Sequence, residues 1–351
     1  MKRPTDYTSD MSRHSSSPDA LRRRLLQLAA LAPLSSLLQA QSASSPIAVL
    51  KLHTFGLRVS DVERSVAFYQ RLFGMPIQAR QGSTVCLRIG EGPRFMSLSP
   101  TGPGESPGIT HIGLSVEGYD GRAIAAQLQA KGFQADANGA DKAPLERAMH
   151  FWPLNDQALA FSDREGLNFQ LCSPAYCGSA NGQCSNTPSP EAGLMALEDI
   201  NHFTNYMNHA PNTNAFYLDL FGLHYQSYQG PTSPTVGVGD GKQFLMFVGG
   251  AREGTPANPA RIDHVSLAMF DFNVEQVQAK LESVGITPRA NADETPPLVH
   301  WVSLRMPNRG GAEGGTPELY FSDPDGLHIQ LQDVSYCGGG GYLGDECAPL
   351  A

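Results

Sequence analysis

Outside its N-terminus the chain has no apolar run approaching the roughly 20 residues needed to span a bilayer, which argues against a helical membrane protein. It is also poor in basic residues. There are 25 Lys and Arg against 34 Asp and Glu in 351 residues, a net charge of −9. Six of the basic and three of the acidic residues fall in the first 45, so the remainder carries 19 against 31, or about −12. A surface this acidic has no footprint for phosphate, which excludes nucleic acid and anionic lipid as partners. A phosphate-cradling glycine loop is lacking too. Gly237-Val238-Gly239-Asp240-Gly241-Lys242 lies between strand-like runs and opens no helix, so it reads as a hairpin turn. What the chain does have is apolar content, 41% hydrophobic against 17% charged, enough for a folded protein. At this length one ordinary core is too small a unit, and two domains or an internal duplication are expected.

Residues 1–45 read as an export signal. Arg22-Arg23-Arg24 precedes a run from Leu25 to Leu38 that is apolar except for Gln27, Pro33 and two serines, and small residues follow at Ala40 and Ala43. Arg22-Arg23, then one residue and two leucines, is similar to a twin-arginine signal; an ordinary secretory signal is the alternative. The twin-arginine route carries proteins already folded, often with a cofactor loaded. It makes the export machinery a partner and the periplasm or exterior the destination, and cleavage near Ala40 or Ala43 would leave no membrane anchor.

Cysteine is scarce, with six residues. Cys177 and Cys184, with six residues between them, and Cys337 and Cys347, with nine, lie in glycine-rich loops. In an exported protein each pair can close a small disulfide loop. Neither has the Cys-x-x-Cys spacing of a zinc site. Cys86 and Cys172 sit in apolar strand-like runs and read as buried thiols.

Self-comparison is the most informative step. Phe161-Ser-Asp-Arg-Glu-Gly-Leu-Asn-Phe-Gln-Leu171 returns as Phe321-Ser-Asp-Pro-Asp-Gly-Leu-His-Ile-Gln-Leu331. Ala67-Phe-Tyr-Gln-Arg-Leu-Phe-Gly74 returns as Ala215-Phe-Tyr-Leu-Asp-Leu-Phe-Gly222, and Tyr176-Cys177-Gly178 as Tyr336-Cys337-Gly338. Residues 46–185 and 195–351 are therefore two copies of one domain, joined by a linker at 186–194. Each copy divides into two modules that open with a strand, at 52–59, 110–116, 200–207 and 261–269. A helix follows; Val62, Val66, Tyr69 and Phe73 have helical spacing, as do Val274, Val277, Leu281 and Val284. Further strands complete each module, giving an α+β class of four βαβββ modules. The opening strands alternate with period two, and His111, His202 and His264 fall on the small, polar face that would line a concave sheet.

The His-x-x-Leu-x-Val/Met pattern of the opening strands, Ser65-Val-Ala-Phe-Tyr with Leu72-Phe-Gly, and the Asp323-Pro-Asp-Gly turn resemble the vicinal oxygen chelate superfamily of glyoxalases, bleomycin-resistance proteins and extradiol dioxygenases. The resemblance spans about residues 47–335. It implies modules paired into two half-barrels, each curled round a metal position, with the four-module form most similar to the dioxygenases. Carried over by position, the metal ligands are His202, His264 and Gln330 in the C-terminal copy, and Thr54, His111 and Gln170 in the N-terminal one. His53 is one residue out of register. Only the first set can plausibly hold a divalent metal. Iron(II) is favoured, with manganese, zinc or nickel as alternatives.

Gln330 departs from the family, which places a carboxylate there. Glu318 and His328 lie on strand faces near it and could compensate. Tyr320, ten residues before Gln330, matches the family's active-site tyrosine and could donate to a substrate oxygen; the other copy has Ala160. His300 could match a second-sphere histidine. The family's acid–base histidine on the closing strand of module three is not apparent, and Phe244-Leu-Met-Phe247 stands there. The reading is an exported mononuclear metal-dependent oxygenase acting on a phenolic or other vicinal-oxygen small molecule. A glyoxalase-type isomerase or lyase and a non-catalytic binding protein are the alternatives, and homo-oligomer formation is left open.

Overall fold

The computed structural model describes residues 45–135, 148–230, 232–239, 242–250 and 258–339; the export-signal reading and the expected partner of Cys337, Cys347, lie outside them. Module one runs β1 (Val49–Val59), α1 (Val62–Phe73), β2 (Ile77–Gln81), β3 (Thr84–Arg88) and β4 (Phe95–Pro100). Module two runs β5 (Gly108–Val116), α2 (Gly121–Ala130), β6 (Gln134–Ala135), β7 (His150–Asn155), β8 (Ala158–Ser162) and β9 (Asn168–Cys172). Module three repeats the first as β10 (Asp199–Tyr206), α3 (Ala210–Phe221), β11 (His224–Tyr228), β12 (Pro234–Val238) and β13 (Gln243–Val248). Module four repeats the second as β14 (Arg261–Met269), α4 (Val274–Glu282), β15 (Thr287–Pro288), β16 (Val299–Arg305), β17 (Thr316–Ser322) and β18 (His328–Asp333). The class is α+β. The even-numbered modules add a two-residue strand, β6 or β15, to the expected βαβββ.

Each copy builds one nine-stranded mixed sheet. The orders are β2-β3-β4-β1-β5-β9-β8-β7-β6 and β11-β12-β13-β10-β14-β18-β17-β16-β15, the same topology twice. The opening strands of paired modules run antiparallel at the centre, β1 with β5 and β10 with β14. The branched faces of both sheets feed a single core, in which Phe55 meets Phe203 with ring centroids 5.9 Å apart.

The helices start where a side chain accepts the first free amides. Asp61 accepts from Arg64 N, Asp120 from Arg122 N and Ala123 N, and Asn273 from Gln276 N. Helix α3 has no such side-chain cap of its own and carries Pro211 in its first turn. Its N-terminus is served from the other copy. Buried Glu165 accepts from Asn208 N at 2.5 Å and from His209 N and Thr213 Oγ1 at 3.3 Å. A carboxylate there also complements the positive end of the helix dipole.

The counterpart of Glu165 is Asp325, which accepts from Ser60 N and Ser60 Oγ just ahead of α1 and pairs with Arg64 at 2.7 Å. Two residues earlier in each turn the exchange is repeated. Asp163 accepts from Glu165 N and Leu167 N and from the Tyr217 hydroxyl of α3 at 2.8 Å. Asp323 accepts from Asp325 N and Leu327 N and from the Tyr69 hydroxyl of α1 at 3.0 Å. Phe68 and Phe73 pack on Phe321, and Tyr217 and Phe221 on Phe169. The two repeated motifs, the Ala-Phe-Tyr helix and the Phe-Ser-Asp turn, are thus partners in one reciprocal contact between the copies.

Segment 186–194 is tied down along its length. Ile77 and Thr187 bridge, and Leu194 N and Met195 N satisfy the last carbonyls of α1. At the crossing a Cβ on Gly193 would lie 2.2 Å from Gly74 N, so only glycine passes.

Burial pushes the carboxyls of Asp163 and Asp323 up to about 6. A raised folded-state pKa contributes stability that is fully present below the unfolded value, near pH 4, and is lost as pH rises through about 6. Asp163→Asn/Asp323→Asn should therefore lack this fall in unfolding free energy between pH 4 and 7, as measured by denaturant titration against wild type. Tyr217→Phe and Tyr69→Phe each leave a buried carboxylate one donor short and should cost about 1–3 kcal/mol at pH 7.

Candidate metal centre

Strand pairing lays one row of side chains across the concave face of the C-terminal sheet. His202 on β10 faces Ser266 on β14, which faces Gln330 on β18, then Tyr320 on β17 and Trp301 on β16. His264 stands two residues from Ser266 on the same face of β14. The N-terminal sheet has the same row in the same register, as Thr54, Gly113, Gln170, Ala160 and Trp152. Period-two alternation puts every member on one face.

His202 and His264 lie edge to face, centroids 5.6 Å apart. Each is held through Nδ1 by the residue before it. Asn201 Oδ1 accepts at 2.7 Å and Asp263 Oδ2 at 3.0 Å. Asn201 is itself oriented by donating Nδ2–H to the Tyr336 carbonyl at 2.8 Å. With the proton on Nδ1, each Nε2 carries a free lone pair, the arrangement by which an outer partner prepares a metal-binding histidine. Phe244 stacks on His202 at 4.3 Å and fixes its plane. Burial first, then the neighbouring His264 and Arg305, hold His202 well below the usual imidazole range, so it stays neutral.

Several polar atoms in this patch are buried without a close hydrogen bond among the described residues, namely His264 Nε2, Ser266 Oγ and the amide of Gln330, which interacts with the His202 ring beside it. Leaving such atoms unsatisfied costs about 1–3 kcal/mol each, and buried polar groups are rarely left so. Two imidazole nitrogens and an amide oxygen fit a divalent ion as three neutral donors on one side, leaving positions open. Among the described residues, no group of three His, Cys, Asp or Glu is placed to hold a metal. A set containing Gln escapes that count.

The cavity over the row has a volume of about 480 Å³. Tyr320 meets His264 edge-on at 5.3 Å and stacks on Trp301 at 5.2 Å. Burial raises its phenol, which stays protonated and donates to Glu318 Oε2 at 3.2 Å. Glu318 lines the cavity as expected, but not as a free ligand or base. Its carboxylate also pairs with Arg305 and accepts from Tyr336 at 2.7 Å. His328 lines the cavity beside His264. His300 is outside it. Its strand partner is the core residue Phe321, so it points to the other face, with Nε2 3.2 Å from Glu282 of α4. The residue that sequence reasoning missed is Arg305, a lone basic residue at a strand end that reads as solvated but is only 5% exposed.

Both sheets carry a small cluster of this kind beside the row: Phe95 and Tyr176 with the thiols Cys86 and Cys172 in the N-terminal sheet, Phe244 and Tyr336 with Met246 in the C-terminal one. His111 Nδ1 lies 3.0 Å from Thr110 Oγ1, Nε2 has no partner, and burial lowers the imidazole to about 4. His53 Nε2 bonds the Tyr176 carbonyl at 2.6 Å, the contact that Asn201 makes to Tyr336 in the other copy. Cys177 and Cys184 are bridged, while Cys86 and Cys172 are free and buried. Burial pushes the Cys86 thiol up to about 12, which makes it inert.

This is the vicinal oxygen chelate fold. A family model for bleomycin resistance protein-like N-terminal domains matches residues 51–90. No curated protein matches the chain. Among solved structures, a variant of homoprotocatechuate 2,3-dioxygenase from B. fuscum is similar at 16% identity and a TM-score of 0.55, over 84% of this chain and 74% of that one. The same enzyme from Arthrobacter globiformis gives 16% and 0.54, over 82% and 81%. A Mn(II)-bound glyoxalase from Novosphingobium aromaticivorans gives 15% and 0.53, over 81% and 82%. At these identities the likeness is one of fold.

The contrast between the two sheets can be measured by metal content. His264→Ala should abolish stoichiometric metal in the purified protein, while His111→Ala should leave it nearly unchanged. Equal loss from both variants would place the site elsewhere.

Proposed function

We propose that the chain is a mononuclear metal-dependent oxygenase acting on a phenolic or other vicinal-oxygen small molecule in the cavity of its C-terminal sheet. The observation that carries this reading is the buried cluster of His202, His264 and Gln330, with His264 Nε2 unpartnered, Gln330 beside His202 and each imidazole already fixed through Nδ1. His202 and His264 would bind the metal through Nε2 and Gln330 through Oε1. When bound, a divalent metal supplies a Lewis acid with open positions for two substrate oxygens and for O₂. Iron(II) is favoured, with manganese, zinc or nickel as alternatives.

The chain's own residues do the rest. Asn201 and Asp263 keep the imidazoles in one tautomer. Tyr320 holds a proton at its hydroxyl, within reach of a turn toward a substrate oxygen that gains negative charge. Glu318, fixed by Arg305 and Tyr336, is the rest position of that hydroxyl. Trp301 and Tyr320 form a flat aromatic wall of the cavity against which a planar ring can lie.

A glyoxalase-type isomerase or lyase is the second reading, supported by the likeness to a Mn(II)-bound glyoxalase and by the neutral donor set. The match to bleomycin resistance protein-like domains supports the third, a binding protein without turnover. Export by the twin-arginine route belongs to the same proposal. The Cys177–Cys184 bridge is in keeping with it, and no helix among the described residues is long and apolar enough to cross a membrane.

The test is anaerobic Fe(II) loading of the purified protein followed by an oxygen-electrode screen of catechols, phenols and 2-oxo acids. Substrate-dependent O₂ uptake is expected, and Tyr320→Phe should lower its kcat roughly 100-fold with metal content unchanged. Conversion without O₂ uptake would favour the isomerase, and tight binding without conversion the binding protein. Arg22→Lys/Arg23→Lys should hold the protein in the cytoplasmic fraction.

A further inference from the structure

The repeated Tyr-Cys-Gly motif carries no metal donor, yet in the C-terminal copy it stands directly behind one. Tyr336-Cys337-Gly338 follows β18 and belongs to no strand. The Cys337 carbonyl is held from β11, accepting from Gln226 Nε2 at 2.9 Å and from Ser227 Oγ at 3.2 Å. Tyr336 is fully buried, with its ring 5.7 Å from that of His202. Its carbonyl accepts from Asn201 Nδ2 at 2.8 Å, and Asn201 Oδ1 accepts in turn from His202 Nδ1 at 2.7 Å. A main-chain carbonyl thus stands two hydrogen bonds from a candidate metal-binding imidazole. Such a group is placed by the backbone alone, and here no strand ladder places it. Cys337, the next residue, is disulfide-bonded. Cys347 is the partner expected from the sequence.

The N-terminal copy keeps this tether without its consequence. Cys177 is bridged to Cys184, and the Tyr176 carbonyl takes His53 Nε2 at 2.6 Å, but Thr54 stands in the row where His202 does. Resting on the metal-enzyme reading above, we propose that the Tyr336 carbonyl is a positioning group of the metal row and that the disulfide at Cys337 holds it in place, so that the row binds its metal tightly only in the oxidised chain. When the bridge opens, the carbonyl shifts and Asn201 loses its anchor. His202 is then no longer held in the tautomer that leaves Nε2 open to a metal. Closing the bridge takes two electrons and two protons from two cysteine thiols to a disulfide oxidant, which leaves as two thiols. Such bridges persist outside the reducing cytoplasm. With the export proposed above, the site becomes complete at its destination and not before departure.

The experiment measures Mn(II) affinity of the purified protein by the loss of the free-ion electron paramagnetic resonance signal. Thiolates are poor ligands for this hard ion, so opened cysteines do not compete for it. Cys177→Ala/Cys184→Ala removes the N-terminal bridge and should leave the Mn(II) dissociation constant within about twofold of wild type. In that variant a phosphine opens only the bridge at Cys337. The phosphine gives two electrons and becomes its oxide with oxygen from water, and each sulfur takes one of that water's protons. The dissociation constant should then rise about tenfold or more, the usual cost of losing the partner behind a metal-binding histidine. Reoxidation with oxidised glutathione should restore it, which separates the effect from unfolding. Asn201→Ala should show a similar rise in the oxidised chain. Reducing Cys177→Ala/Cys184→Ala/Asn201→Ala should add less than about twofold, because both changes cut one path.

No rise on reduction would overturn the proposal, as would a rise that reoxidation does not reverse, an equal rise from Cys177→Ala/Cys184→Ala before reduction, or a full second rise on top of Asn201→Ala. In each case the metal-enzyme reading stands, because Mn(II) still binds the oxidised wild type. No Mn(II) binding by the oxidised wild type would remove both.

Discussion

Two buried carboxylates, Asp163 and Asp323, hold the molecule together. Each closes its own turn by accepting two backbone amides, and each takes a phenol from a helix of the opposite copy. Burying a carboxylate costs several kcal/mol unless most of its acceptor sites are filled, and here the filling donors come from both halves of the chain. The neighbouring acids, Glu165 and Asp325, finish the contact by serving the start of the opposing helix. The exchange joins each helix to the opposite copy's turn, in keeping with branched faces that form a single core rather than two.

On that common frame the two sheets diverge in one respect. The row that crosses the C-terminal sheet carries His202, Ser266, Gln330 and Tyr320, while the same row in the N-terminal sheet carries Thr54, Gly113, Gln170 and Ala160. Register is identical, so the difference lies wholly in side chains. A hydroxyl stands for an imidazole and a methyl for a phenol, so the two rows offer different donor atoms on the same backbone.

Much of this was legible in the sequence. Period-two alternation placed His202, His264 and Gln330 on one face, and the self-similarity of the copies set Thr54, His111 and Gln170 against them in the register the strands adopt. The fold class followed from the repeated strand–helix pattern. What could not be read was pairing across loops. The resemblance matches His300 to a second-sphere histidine, and nothing in the sequence shows its strand partner. The glycine-rich connection at 310–315 hides the register, and pairing with Phe321 sends the ring to the helix side. Glu318 was correctly faced, but its three donors come from β16, from β17 itself and from beyond β18, which no local pattern discloses. The contact between the repeated helix and the repeated turn went unread for the same reason. A buried-looking tyrosine recurring in step with an aspartate was the available clue. The two-residue strands β6 and β15 are too short to leave any periodicity.

The exchange of helices also distributes vulnerability unevenly. The N-terminal copy carries no open metal row, yet α1, with Tyr69, Phe68 and Phe73, is part of the support beneath Phe321 and Asp323, one strand-turn away from Tyr320 and Gln330. A substitution in the N-terminal copy can therefore disturb the concave row of the C-terminal one. Each copy is scaffold for the other, so the chain cannot be cut between its repeats without exposing a buried acid in both halves.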